Sequence, residues 1–226
     1  MAGVLMWTLF ILTSRYEHCQ HSAVTSRRTY HHGDLRRVLV DTATAMLAEG
    51  DTGFTLREVA RRAGVSPAAP YNHFTSKGAL IAAVAAHGLT RFRAMLGRSL
   101  ARHRGAPPEA QAGALIDAYI RFAFASPAQF DVIFGPEAVA HRTPELHGEA
   151  ERTKDVLRAL LTRWQTEGLV APGDLDERVR LTWSAAHGLA TLLRGPIALD
   201  VPTQEQRRTL AHAAARLLLR GLRAAD

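Results

Sequence analysis

The sequence predicts an all-α protein, with an N-terminal three-helix unit holding a helix-turn-helix and a larger helical bundle behind it. Three observations carry this. From Glu109 onward, apolar residues recur at helical spacing between Pro and Gly breaks, and no alternating strand pattern competes. Residues 55–77, TLREVARRAGVSPAAPYNHFTSK, read as two short helices joined by a tight turn holding Gly64. The net charge of +7 is also unevenly placed. Residues 26–104 hold thirteen Lys and Arg against five Asp and Glu, whereas residues 105–226 hold fourteen against fifteen. A basic excess confined to the helix-turn-helix region points to a polyanionic partner for that region.

Residues 1–25 fit neither unit. The apolar run GVLMWTLFIL is about half the ~20 residues a membrane span needs. It resembles the core of a signal peptide, but no Lys or Arg precedes it and no convincing small-residue cleavage site follows. It is expected to be disordered, or to arise from a start codon assigned too far upstream. His18, Cys19 and His21 lie too close together, without further ligands, to form a zinc site. The single cysteine excludes an intramolecular disulfide framework and fits a reducing compartment. Residues 25–32, TSRRTYHH, form a basic arm from which Arg27, Arg28 and Tyr30 could reach phosphates or a minor groove.

The first helix is expected over residues 34–48, with Leu35, Val38, Leu39, Thr42, Met46 and Leu47 facing inward. Residues 50–53 end it, and Phe54 plugs the core beneath the helix-turn-helix. Thr55 and Glu58 have the spacing of a capping box, and Leu56, Val59 and Ala60 give the next buried stripe. Gly64 stops that helix because it accepts the left-handed conformation without steric cost. Ser66 and Pro67 read as the cap and first residue of the second helix, with Pro70 costing at most one hydrogen bond near its edge. Ser76 is expected to cap a long helix reaching about His103, which starts beside the helix-turn-helix and ends in the bundle. The remaining helices are expected near 109–125, 127–134, 144–169, 174–194 and 203–223. The domains are therefore 1–25, an extension; 26–75, the helix-turn-helix unit; and 76–226, the bundle.

The run from Tyr30 to Val84 resembles the DNA-binding domain of the tetracycline-repressor (TetR) family. The matching residues are Gly50, Phe54, Thr55, Val59, Ala60, Ala63, Gly64, Val65, Ser66, Tyr71, Phe74, Lys77 and Leu80. Trp183 with His187-Gly188 looks like the signature of one C-terminal subgroup. The resemblance implies a cytoplasmic homodimeric regulator, a repressor on a palindromic double-stranded operator, released by a small, largely apolar ligand. The second helix would lie in the major groove, offering Ser66, Pro67, Ala68 and Ala69 to base edges, with Asn72 able to pair with adenine. By resemblance Tyr71, His73 and Lys77 face phosphates, and Thr55 and Arg57 could bind phosphate or reach a base. In the bundle, Phe92, Met95, Tyr119, Phe122, Phe134, Trp164, Trp183 and His187 are the candidate ligand-binding residues, set against plain core packing. Leu189, Leu192, Leu193, Leu210, Ala214, Leu217 and Leu218 could supply the four-helix dimer interface that the family builds from its last two helices.

Enzymatic chemistry has no support in the sequence. There is no phosphate-cradling glycine loop, no Gly-x-Ser-x-Gly and no His-Glu-x-x-His, and no cofactor is implied. His141 and His147 with Glu145 and Glu149 read as a polar helix end rather than a metal site. The rival reading is a helical ligand-binding or enzymatic bundle that carries an unused helix-turn-helix. It predicts no salt-dependent DNA binding, and the basic excess argues against it.

Overall fold

The structure, a computed structural model, describes residues 32–195 and 202–222, without the side chains of residues 32–34 and 139. The expectations for residues 1–25 and for Arg27, Arg28 and Tyr30 lie outside it. Every regular element among the described residues is helical: α1 (His32–Ala48), α2 (Leu56–Arg62), a 3-10 helix (Ala69–Asn72), α3 (Lys77–Arg102), α4 (Pro108–Ala125), α5 (Pro127–Phe134), α6 (Pro136–Ala140), α7 (Pro144–Thr166), α8 (Leu175–Arg194) and α9 (Gln204–Leu222).

Two buried clusters organise these helices. Leu39, Met46, Phe54, Val59, Phe74 and Leu80 close a small core under α1, α2 and the first turns of α3. Phe92, Tyr119, Ile120, Leu161, Trp164 and Val179 belong to a larger one built from the rest of α3 and α4 to α9. The helix α3 serves both. Its Ser76 cap accepts a bond from the Ala79 N–H at 3.1 Å, as its sequence predicts. It is long and apolar enough to cross a membrane by composition, but most of that stretch is buried inside the protein, as for a core helix. The packing of α4 on α9 is close enough that a β-carbon on Gly113 would lie 2.2 Å from His212 Nδ1.

Three expectations are corrected. The element after the turn is not an α-helix begun by Ser66 and Pro67 but a 3-10 helix over Ala69–Asn72 without a side-chain cap. Pro70 is the reason. It has no N–H to donate to the Ser66 carbonyl, so the first α-helical bond cannot form. Ala69 N–H bonds Ser66 O at 3.0 Å and Tyr71 N–H bonds Ala68 O at 3.2 Å, both in the tighter three-residue pattern. Next, α7 ends at Thr166 rather than 169, because Gly168 takes φ +71 and turns the chain. Finally, α6 is a one-turn helix between the expected breaks, too short for periodicity to reveal.

Candidate functional site

The exposed face of the helix-turn-helix is built on a rigid frame. The Thr55 hydroxyl accepts from Glu58 N–H at 3.3 Å, and Glu58 Oε2 accepts from Thr55 N–H at 2.6 Å and from the Thr55 hydroxyl at 2.9 Å. Those bonds hold the Glu58 carboxyl below the usual range, the backbone N–H of Thr55 contributing most. The capping box therefore occupies the hydroxyl that the sequence offered to DNA. Gly64 at φ +70 lets Val65 N–H reach Ala60 O at 3.0 Å, which closes α2 and sets its angle to the next element. Pro70 and Phe74 are buried, so the 3-10 helix is anchored from beneath.

What remains outside is the surface of interest. Arg57, Ser66, Pro67, Ala68, Tyr71 and Asn72 are exposed, while Ala69, His73 and Lys77 are half-buried. Arg61, four residues after Arg57 on α2, is exposed as well. That spacing is readable in the sequence, though Arg61 was not among the expected contacts. Lys77 turns partly inward: Nζ donates to Thr52 O at 2.7 Å and lies 4.9 Å from the centre of the Phe54 ring. It thus ties the segment before α2 to the start of α3, whatever else it contacts.

In the bundle, six of the aromatic and histidine side chains singled out in the sequence form one cluster. Tyr119 OH meets His187 Nδ1 at 3.0 Å. Trp183 stands edge-on to Tyr119 at 5.4 Å, and Phe134 lies 4.6 Å from His187. Phe92 is 4.9 Å from Tyr119 and 4.7 Å from Phe122. Burial raises the Tyr119 phenol and lowers the His187 imidazole, so both are neutral near pH 7. Met95 is half-buried against the same core. Trp164 sits apart, buried among Leu157, Leu161 and Leu218.

Beside this cluster opens a cavity of about 490 Å³, within the range of small-molecule sites. Phe134 and Trp183 form its wall together with Leu89, Ile133, Ala138, Leu146 and Ala150; Arg142, His147, Glu151 and Lys154 complete the lining. Tyr119, His187 and Phe92 pack against Phe134 or Trp183, and Phe122 against Phe92. The α7 lining was missed in the sequence, although Leu146, Ala150 and Lys154 follow one another at four-residue spacing on one helix face.

The cavity and the helix-turn-helix meet at the corner between α6 and α7. The His141 ring rests against the first turn of α3, where a β-carbon on Gly78 would lie 2.2 Å from Nε2. Nearby, Arg36 of α1 pairs with Glu145 at the start of α7 and lies 5.4 Å from the Phe74 ring centre. The pair is about half exposed and adds little stability, about 1 kcal/mol at most. Its consequence is positional, since it links the small core to α7.

Both of the last two helices carry exposed leucines. Leu181 and Leu192 on α8 are 59% and 56% exposed, and Leu210 and Leu217 on α9 are 41% and 68% exposed. Of the expected interface residues, Leu192, Leu210 and Leu217 are exposed; Leu189, Leu193, Ala214 and Leu218 are half-buried against the bundle core. Leu181, about three turns before Leu192, was not among those expected.

Comparison with known proteins agrees with this geometry. Residues 39–84 match the model described as bacterial regulatory proteins, tetR family, and residues 112–218 match the tetracyclin repressor-like, C-terminal domain. The HTH-type transcriptional regulator BetI of Rhizobium meliloti (strain 1021) is 31% identical over 174 residues, covering 71% of this chain and 74% of the relative. A solved protein of unknown function from Rhodococcus sp. RHA1 shares 32% identity at a TM-score of 0.71, covering 87% of this chain and 100% of its own. The regulator FadR from Bacillus subtilis, solved with stearoyl-CoA, shares the fold at 14% identity and a TM-score of 0.63, covering 82% and 98%. A helix-turn-helix with an exposed polar and cationic face, carried on a helical bundle, defines a DNA-binding transcriptional regulator rather than an enzyme. The chain belongs to the TetR family.

Proposed function

We propose that the protein works in the cytoplasm as a homodimeric repressor of a palindromic operator and leaves DNA when a small, largely apolar ligand enters the bundle. The observation that carries the operator contact is the exposed run Ser66–Asn72, held from beneath by Pro70 and Phe74 and fixed at both ends by the Gly64 turn and the Ser76 cap. In this reading small side chains, one hydroxyl and one amide face base edges, with Tyr71, His73 and Lys77 around them for phosphates and Arg57 for a phosphate or a base. Arg27, Arg28 and Tyr30 extend the phosphate contacts from the N-terminal arm.

The dimer reading is supported by the four exposed leucines on α8 and α9. Large apolar side chains left exposed on two helices favour a partner over water, and a two-fold pair of recognition elements suits a palindrome. The ligand reading is supported by the apolar cavity beside Phe134 and Trp183. The neighbour holding stearoyl-CoA supports the view that a bundle of this architecture has room for an apolar chain. Trp183 with His187-Gly188 is read as the mark of one C-terminal subgroup of the family. His141 on Gly78 and Arg36 on Glu145 are the contacts through which ligand entry would shift the recognition elements. The shift can be no larger than the ligand's differential affinity for the two arrangements. Titrating labelled DNA from the flanks of the protein's own gene, across a salt series, tests the reading. Binding that is sequence-selective and weakens steeply with salt supports it; salt-independent or absent binding rejects it.

A further inference from the structure

The lining of the 490 Å³ cavity carries a charge asymmetry that an apolar ligand alone would not use. Leu89, Ile133, Phe134, Leu146 and Trp183 supply its apolar body, and the charged groups come only from α7 and the corner before it. Glu151 is the single carboxylate there, and it is matched by the Lys154 ammonium one turn along α7. Arg142 has no ion-pair or hydrogen-bond partner among the described residues. The cavity therefore presents one unmatched guanidinium beside a matched pair, with His147 as a further nitrogen donor. A guanidinium fork is shaped to take an oxyanion through two parallel bonds. A cationic ligand would face Arg142 and have to take Glu151 from Lys154. A neutral one would leave Arg142 to water and gain nothing from it.

We propose that the effector is an amphipathic anion, its apolar body against Phe134, Trp183 and Ile133 and its carboxylate, sulfonate or phosphate held by Arg142. This rests on the reading of the cavity as the effector site. Arg142 directly follows His141, whose ring sits on Gly78 at the start of α3. Drawing Arg142 towards a bound anion moves the residue that touches the helix leading to the recognition element. The anionic head is thus the part of the ligand that the DNA-binding unit reads.

The test uses the full chain and three probes of equal chain length: decanoate, 1-decanol and decyltrimethylammonium. Calorimetric titration is expected to show decanoate binding about tenfold or more tighter than decanol, and the cation more weakly than either. Arg142→Gln should bring decanoate to within about threefold of decanol while leaving decanol unchanged. Arg142 is exposed, and an unchanged melting temperature will show that the variant folds. Equal or tighter binding of decanol, preference for the cation, no binding of any probe, or discrimination that survives Arg142→Gln would each overturn the proposal. Fluorescence anisotropy of operator DNA separates the two readings. If decanoate is preferred through Arg142 yet DNA affinity does not change, the anion specificity stands and release by this cavity fails. If decanol releases DNA as well as decanoate does, release stands and the anion specificity fails.

Discussion

Tyr119 and His187, far apart in sequence, meet through a 3.0 Å hydrogen bond between the phenol oxygen and Nδ1. Burial favours the neutral form of each, raising the phenol and lowering the imidazole. Folding therefore opposes protonation of His187, while the unfolded chain protonates it at the ordinary value near 6.5. The stability gained by keeping the buried imidazole neutral is full above that value and is lost as pH falls through the lowered folded one. The melting temperature of the native protein should fall on acidification in this window more steeply than that of His187→Phe. Parallel profiles would mean that His187 is not held neutral by its surroundings.

Gly78→Ala places a methyl group where the His141 ring now sits. His141 is an exposed side chain and can swing into water, so the fold should survive with a stability change of about 1 kcal/mol or less. DNA affinity without effector should be retained, and the drop in affinity caused by effector should shrink. An unchanged effector response, measured by anisotropy, would remove this contact from the coupling route.

Gly113→Ala meets a different obstacle. The new β-carbon would fall 2.2 Å from His212 Nδ1 and 2.8 Å from its Cγ, between two closely packed helices. Urea unfolding should show a loss of about 1–3 kcal/mol, as for overpacking elsewhere. His212→Ala in the same chain should recover much of it, giving a clear coupling energy in the double-mutant cycle. Simple additivity would contradict the close approach.

Leu217→Glu puts a charge on the most exposed leucine of α9. Sedimentation should show monomers, and operator affinity should fall with dimerisation. A dimer that persists at micromolar concentration would place the interface elsewhere.

Lys77→Ala separates two roles. If Nζ contacts phosphate, affinity should fall alike for all sequences and the salt slope should flatten by about one ion. If its bond to Thr52 O is its whole role, stability should drop and the salt slope should stay as it was. A change in the preferred sequence would show that Lys77 reads bases.

Much of this was legible in the sequence where one local rule decides the outcome. Thr55 with Glu58, Gly64 and Ser76 each fix a helix end through a single backbone requirement, and the structure places those ends as read. The polar aromatic residues Tyr119, Trp183 and His187 were singled out because their polar atoms needed partners inside an apolar bundle, and two of them partner each other. The 3-10 helix was missed because Pro70 was weighed as one lost bond, when that bond was the first of the turn. The cavity lining was missed for another reason. Arg142, Leu146 and Lys154 become neighbours of Phe134 and Trp183 only through tertiary packing, which no spacing along one helix encodes.

In the proposed function the segment beginning at Ser66 occupies a groove of duplex DNA, twice, at a separation set by the bundle. Hydroxyl-radical footprinting on the best duplex from an unbiased selection tests it most directly. Two related half-sites should be protected about one helical turn, or a multiple of it, apart, with protection lost when amphipathic anion is added. A single protected site, or no duplex preferred at moderate ionic strength, would contradict it.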